Sequence, residues 1–411
     1  MTVHLYRSTQ KDAPVLAGQA GSLIALLKAC LVNGYGSTSV ASITRNATVA
    51  TVECLDHGFS EGDVAVIAGA DQSGFNGTVV VATVPNTHSF TYAVVDTLPA
   101  AATGVAITAK RAPAGWINIA NSTNREYFRI AGGAYMDVDD SGVSTGLYTV
   151  ADVKGWRELG TQYGSYMDFP RTTKVGFIKS ATEDATAREW VIVASDTMLY
   201  FWVNYNSDAN GLGGKLHTFG YTKGDALVTP STGLHPCIIA GNAWNGVAFL
   251  PNDATYNYSG DLYENIYQTL GEGKHLDVVV ALNTMTVATG KCGLISDWSK
   301  TNNQRSLGFP SGGYPQEPVT GNWMKQRLAP VFVYDINDTG VWTNIRGVLP
   351  GFWNPITNID ITNGSVFGES IGGVPTVPAR RFIFLRLSPS SNEPTRVGGV
   401  VLEYSDTWPT V

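Results

Sequence analysis

Charge is scarce in this sequence. Asp, Glu, Lys and Arg make up 15% of its 411 residues, against about 25% in ordinary soluble domains. The net charge is −7, and no extended Lys/Arg cluster occurs. Sustained contact with a phosphate backbone needs such a cluster, so nucleic acid is not expected as a partner. No apolar run approaches about 18 residues, so no membrane span is expected. Residues 1–7 contain no basic segment leading into an apolar run; the reading expects no secretory leader and assigns synthesis to a cytosol. Cysteine is equally sparse: Cys30, Cys54, Cys237 and Cys292 form no Cys-x-x-Cys pair and are expected to be buried, reduced thiols. His4, His57, His88, His217, His235 and His275 stand alone, without His-x-His or His-Glu-x-x-His spacing. No metal or other cofactor is therefore expected.

Apolar and turn-forming residues are what the chain does have. Hydrophobic residues reach 44%, aromatics 10%, and there are 45 glycines. The length suffices for two or three domains of about 100–200 residues each. Low charge with many aromatics points to a surface partly covered by partners. The alternative is a lone β-protein whose outer faces carry Thr, Ser and Asn.

One helix is predicted, over residues 18–32, where Leu23, Ile24, Leu26, Leu27, Cys30 and Leu31 form one apolar stripe. Asn33-Gly34 supplies its stop. Residues 42–112 form an island without Trp, in which short Val/Thr/Ala runs alternate with Gly, Pro and Asn turns. That pattern predicts a small β-sandwich or barrel. Beyond it, strand-like runs recur at 126–130, 189–194, 199–203, 278–282 and 381–387. No fixed-period repeat or heptad occurs, which disfavours a propeller, a β-helix and a coiled coil. The expected fold is therefore mainly β. A discontinuous main domain (1–41 and 113–411) carries one N-terminal helix, and an inserted β-module occupies 42–112. Loop tips tolerate such insertions because few contacts cross them.

Ala13-Pro14-Val15-Leu16-Ala17-Gly18 and the following run to Gly34-Tyr35-Gly36 resemble the opening of a family of uncharacterised tailed-phage virion proteins. In that family a Gly-Trp soon follows the Gly-Tyr-Gly; here Gly115-Trp116 stands beyond the island, in keeping with an insertion. The resemblance continues over residues 187–196 (Ala187-Arg188-Glu189-Trp190 onward) and 346–355 (Arg346-Gly347-Val348-Leu349-Pro350-Gly351-Phe352-Trp353-Asn354-Pro355), and ends near residues 402–408. His57-Gly58-Phe59, Gly62-Asp63 and Phe75-Asn76-Gly77-Thr78 resemble a small β-module added to phage structural proteins. The resemblance implies a role in the virion, with other phage structural proteins as partners, and supplies no catalytic set.

The motifs that could carry chemistry are weak. Asp137, Asp139, Ser141 and Gly142 match the first positions of a calcium loop, but Tyr148 stands where a bidentate carboxylate belongs. A hairpin turn at Asp140-Ser141-Gly142 is the simpler expectation. Gly-x-Ser-x-Gly occurs around Ser144 and Ser370, neither with the strand-then-helix context of a nucleophile elbow. The Gly-rich run ending at Lys215 lacks the helix of a phosphate loop. Acidic pairs such as Glu183/Asp184 and Asp261/Glu264 could serve a glycosidase only across a cleft. No enzyme activity is expected.

Trp202, Trp244, Trp298, Trp323, Trp342 and Trp353 lie in or beside Asn/Gly/Asp-rich segments and are the candidate contacts. Such residues anchor protein interfaces, stack on sugar rings, or fill cores. The expected function is that of a protomer in a homo-oligomeric layer of a phage particle, tail or baseplate ahead of a head or neck accessory such as a capsid decoration. The alternative is a receptor-binding fibre or tip protein that recognises a cell-surface glycan.

Overall fold

The computed structural model describes residues 2–144, 149–158, 166–169, 175–207, 214–222, 235–241, 255–258, 276–281, 291–295, 328–336, 342–355, 363–364, 366–368, 370–371, 374–375, 380–387, 398–405 and 408. The architecture of the described residues is mainly β with a single α-helix. Among the described residues every strand pairing is antiparallel.

Strand β1 (His4–Arg7) leads into helix α1 (Ser22–Leu27), which widens into a π-helix over Lys28–Asn33. The helix starts later than its composition predicts. Gly18 is packed so tightly that a Cβ there would lie 1.8 Å from the Thr182 carbonyl oxygen, and Gly21 adopts a left-handed φ of 78°. Both belong to the turn before the helix. Its N-terminus has no local side-chain cap. The cap comes from far away: Asp140 Oδ2 accepts the Leu23 N–H at 2.8 Å. The apolar stripe is buried as its spacing predicts, through Leu23, Ile24, Leu26, Leu27, Cys30 and Leu31.

Eight strands follow: β2 (Tyr35–Ser39), β3 (Ser42–Asn46), β4 (Val49–Glu53), β5 (Val64–Ala68), β6 (Gly77–Val80), β7 (Thr83–Asn86), β8 (Ser89–Ala93) and β9 (Thr108–Arg111). They form two four-stranded sheets, β2-β9-β5-β6 and β3-β4-β8-β7. Residues of both sheets, including Ile43, Val52, Phe90, Tyr92, Ala65, Ile67 and Ala109, meet in one buried cluster drawn wholly from this segment. Strand β2 pairs within this unit, whereas the sequence reading ends the N-terminal part of the main domain at residue 41. The chain leaves and returns side by side. Tyr35 pairs with Arg111, and the N–H groups of Ala114, Gly115 and Trp116 bond the Cys30 and Leu31 carbonyls at the end of the π-helix. Gly34 sits at this crossing with φ 72°, where a Cβ would be 2.3 Å from the Arg111 carbonyl oxygen.

Then come β10 (Ile117–Ser122), β11 (Arg125–Arg129), β12 (Tyr135–Ser144), β13 (Thr149–Glu158), β14 (Tyr166–Phe169) and β15 (Val175–Ser180). They make a sheet in the order β10-β11-β12-β13-β14, with β15 also pairing β13. Next are β16 (Glu189–Ala194), β17 (Met198–Asn204), β18 (Gly214–Thr222) and β19 (His235–Gly241). With β1 at one edge and the strands Leu276–Ala281 and Thr255–Tyr258 at the other, they form a seven-stranded sheet. A third large sheet contains Lys291–Ile295, Leu328–Ile336, Trp342–Pro355, Gly398–Glu403, Arg381–Leu387 and Val366–Gly368.

The seven-stranded sheet is the middle layer. Every residue of β17 is buried, because each of its faces is covered. Leu199, Phe201 and Val203 join a cluster with the helix stripe and with Phe128, Met136, Val138 and Val153 of the β10–β15 sheet, hereafter the six-stranded sheet. On the opposite face Tyr200 meets Phe352 and Trp408, at ring-centroid distances of 5.6 and 5.9 Å. Its hydroxyl donates to the Pro350 carbonyl at 2.7 Å.

Candidate functional site

Two of the six candidate tryptophans have described side chains. Trp202 is completely buried on β17. It is a core residue, unavailable to a glycan or partner, because a strand covered on both faces points no side chain at solvent. Trp353 is half-buried, and its indole N–H donates to Glu403 Oε2 at 3.0 Å. The Arg380 guanidinium lies 4.6 Å from its ring centroid and bonds Glu403 through Nε at 3.0 Å and an Nη at 2.6 Å. That polar edge is thus already engaged within the chain. Trp342 opens the strand Trp342–Pro355, its side chain outside the described residues; Trp244, Trp298 and Trp323 lie outside them altogether.

The carboxylates of the calcium-like stretch have separate duties. Asp137 receives a two-point bond from Arg125, at 2.8 and 2.6 Å. Asp139 accepts from the Ser141 hydroxyl at 2.5 Å. Asp140 caps α1 and forms an ion pair with Lys179, both side chains fully buried. Residues 140–142 are not the expected hairpin turn. They form a bulge inside β12, between the pairs Asp139/Asp152 and Val143/Val150. Among the described residues no group of His, Cys, Asp and Glu is arranged to hold a metal. No helix there is long and apolar enough to cross a membrane.

Buried charges elsewhere also tie elements together. Arg111 of β9 pairs with Asp63 at 2.5 Å, and Lys28 of the π-helix pairs with Glu126 of β11 at 2.8 Å. Arg188 bonds Ser180, Thr182 and Ser207, organising the 181–188 segment as a loop; Asp184 there is bonded to Thr182 and Thr186. The histidines are similarly embedded. His57 Nδ1 accepts the Phe59 N–H at 2.9 Å while Nε2 lies 3.2 Å from the Asn86 carbonyl oxygen. His217 is stacked between Phe177 and Phe201 and accepts the Ile178 N–H at 3.1 Å. Burial, helped by the Lys215 charge, lowers its pKa to about 3. Lys215 itself is lowered to about 8 by burial. Cys30 and Cys54 are buried thiols, the latter raised by burial to about 11. Ser144 ends strand β12 and Ser370 lies in a two-residue strand.

The arrangement that sequence reasoning missed lies on the outer face of the six-stranded sheet. Alternation sends Phe128, Met136, Val138 and Val153 inward and their neighbours outward. The register then lines up three rows across β11, β12 and β13. Arg129, Tyr135 and Trp156 form one; Tyr127, Asp137 and Lys154 the next; Arg125, Asp139 and Asp152 the third. Ile117 of β10 extends the first row and is 55% exposed. Except for exposed Arg129 and for Asp137, covered by Arg125, these nine residues are half-buried. Cations brace the rings: Arg125 lies 5.3 Å from the Tyr127 centroid, Arg129 5.9 Å from Tyr135, and Lys154 4.9 Å from Trp156. The signal was present as period-2 alternation in Arg-Glu-Tyr-Phe-Arg and Asp-Val-Lys-Gly-Trp, on strands rather than in the Asn/Gly loops where tryptophans drew attention.

No protein-family model matches the sequence, and no curated protein matches it. Among solved structures, the phage phi92 endosialidase is similar at 14% identity and a TM-score of 0.16, over 91% of this chain and 52% of that one. The chain thus spans about half the length of that protein, and so low a TM-score does not establish a shared fold.

Proposed function

We propose that this chain is a structural, non-enzymatic component of a tailed-bacteriophage particle, a protomer of a symmetric assembly in the tail or baseplate. The observation that carries the mechanical part is the use made of buried charge. Asp140–Lys179, Asp63–Arg111, Glu126–Lys28 and Glu403–Arg380 each join different elements. The buried member of such a pair is held in place by a specific partner, which suits a stiff scaffold better than a reacting centre. The phage assignment itself rests on the resemblance of the 13–36, 187–196 and 346–355 segments to virion proteins. Its partners are then other particle proteins and further copies of itself, and its location is the virion.

Cryo-electron microscopy of the intact virion tests this at side-chain resolution. The expected result is a symmetric layer in which the chain touches several other particle proteins. A chain projecting from the tail tip and anchored only by its N-terminal part would overturn the reading in favour of receptor binding.

A further inference from the structure

We propose that the outer face of the six-stranded sheet binds an uncharged saccharide, stacked along the row of Tyr135 and Trp156 and bonded by the charged side chains around it. This is a binding function beyond the mechanical one, and it holds wherever the chain sits in a particle.

The rings need an explanation. The inner face of the same sheet already supplies the core. Tyr127, Tyr135 and Trp156 point away from it and are only half-buried, although the Trp156 indole nitrogen itself is covered. A solvent-facing strand position is ordinarily met by small polar or charged residues. Three rings within a three-by-three grid, at strand spacings of about 4.8 Å, form a platform instead. Ring faces of this kind offer flat apolar area on which a sugar ring can stack. Exposed Ile117 continues the apolar row at the sheet edge.

The charges around the rings select the ligand. Within the three rows Arg125, Arg129 and Lys154 are balanced by Asp137, Asp139 and Asp152, and Asp168 of β14 stands opposite Trp156 at the end of the first row, so the face has no excess of cations. Polynucleotides need an excess of cations, and an acidic glycan would meet as much repulsion as attraction. A neutral sugar has hydroxyls that both donate and accept, matching mixed guanidinium, ammonium and carboxylate groups. The two-point Arg125–Asp137 bond and the three cation–ring contacts hold the face in one arrangement before any ligand arrives. That limits the entropy lost on binding.

The test uses the full chain on an array of immobilised neutral and acidic oligosaccharides. Calorimetric titration then uses the best-bound neutral oligosaccharide with wild type, Tyr135→Ala, Trp156→Ala and Trp156→Phe. Arg129→Glu, at an exposed position, perturbs the face without disturbing packing, and circular dichroism checks each fold. The proposal expects neutral oligosaccharides to bind. Tyr135→Ala and Trp156→Ala should each weaken binding by about tenfold or more, as loss of a 1.4 kcal/mol contact would, while Trp156→Phe retains most of it. Absence of binding by the wild type overturns it. So does binding that Tyr135→Ala, Trp156→Ala and Arg129→Glu all leave intact, or a preference for acidic oligosaccharides. None of these outcomes bears on the position in the particle, which microscopy decides separately.

Discussion

His217 illustrates how burial makes a side chain report on pH. It lies between two phenylalanine rings with Nε2 engaged as an acceptor, and its pKa is lowered to about 3. His4, stacked on Tyr6, has no partner for Nδ1 among the described residues and is lowered by burial to about 4. An unfolded histidine titrates near 6.5. Between pH 6.5 and about 4 the unfolded chain therefore binds protons that the folded chain refuses. The stability these neutral rings contribute is fully present above pH 6.5 and is lost as pH falls toward their folded values. Each shift corresponds to about 3 kcal/mol or more. Urea midpoints should drop between pH 7 and pH 4.5, and less steeply in His217→Gln than in wild type. Equal slopes for the two proteins would show that His217 is not a buried neutral ring. The sequence marked this histidine only as isolated, since its two rings come from strands β15 and β17.

At the scale of elements, helix α1 depends on a residue 117 positions away. Its own N-terminus offers a left-handed glycine and no side-chain acceptor, so Asp140 from the β12 bulge fills the role. Lys179 neutralises that carboxylate and also donates to the Gln19 carbonyl at 2.6 Å. Asp140→Ala should cost about 3–5 kcal/mol, because it removes a cap and leaves Lys179 buried without its counter-ion. The double substitution Asp140→Leu, Lys179→Met should cost less than Asp140→Ala alone, and chemical denaturation of the three proteins measures the difference. If Asp140→Ala costs under about 1 kcal/mol, the pair is not what holds the helix. The helix stripe and the strand runs at 126–130, 189–194, 199–203 and 381–387 were legible, because spacings of three and four, or alternation, survive in the local sequence. The cap was not, since Asp140 read locally as part of a turn. The assignment of Trp202 failed for a related reason: a β-strand pattern does not tell whether one face or both are covered. The aromatic face escaped notice because its rings are distributed over three strands, and only the register brings them into rows.

For the whole molecule, the question is whether the inserted unit and the body fold independently. Their buried clusters share no residue: one is drawn from residues 43–109, the other from residues 6–35 and 114–238. The sequence reading proposes such a division, with the module over 42–112, from the missing tryptophans and the displaced Gly115-Trp116. Tyr35 belongs to both sides, packing in the body's cluster while pairing with Arg111. Polar contacts join the two parts: Tyr6 donates to the Ala112 carbonyl at 2.7 Å, and Lys11 pairs with Asp56 at 3.5 Å. Gly62 lies so close to the Arg381 guanidinium that a Cβ would collide with it. Because Tyr35 and Arg111 are direct cross-strand partners, a two-residue Asn-Gly link can replace residues 36–110 as a hairpin turn. Arg111→Thr should accompany the deletion, since Asp63 leaves with the module. The shortened chain is expected to remain monodisperse and to unfold in one cooperative transition, which size-exclusion chromatography and calorimetry would measure. An aggregated product, with the full chain soluble under the same conditions, would mean that the body needs the module to complete its fold. The two buried clusters would then belong to one cooperative unit despite sharing no residue.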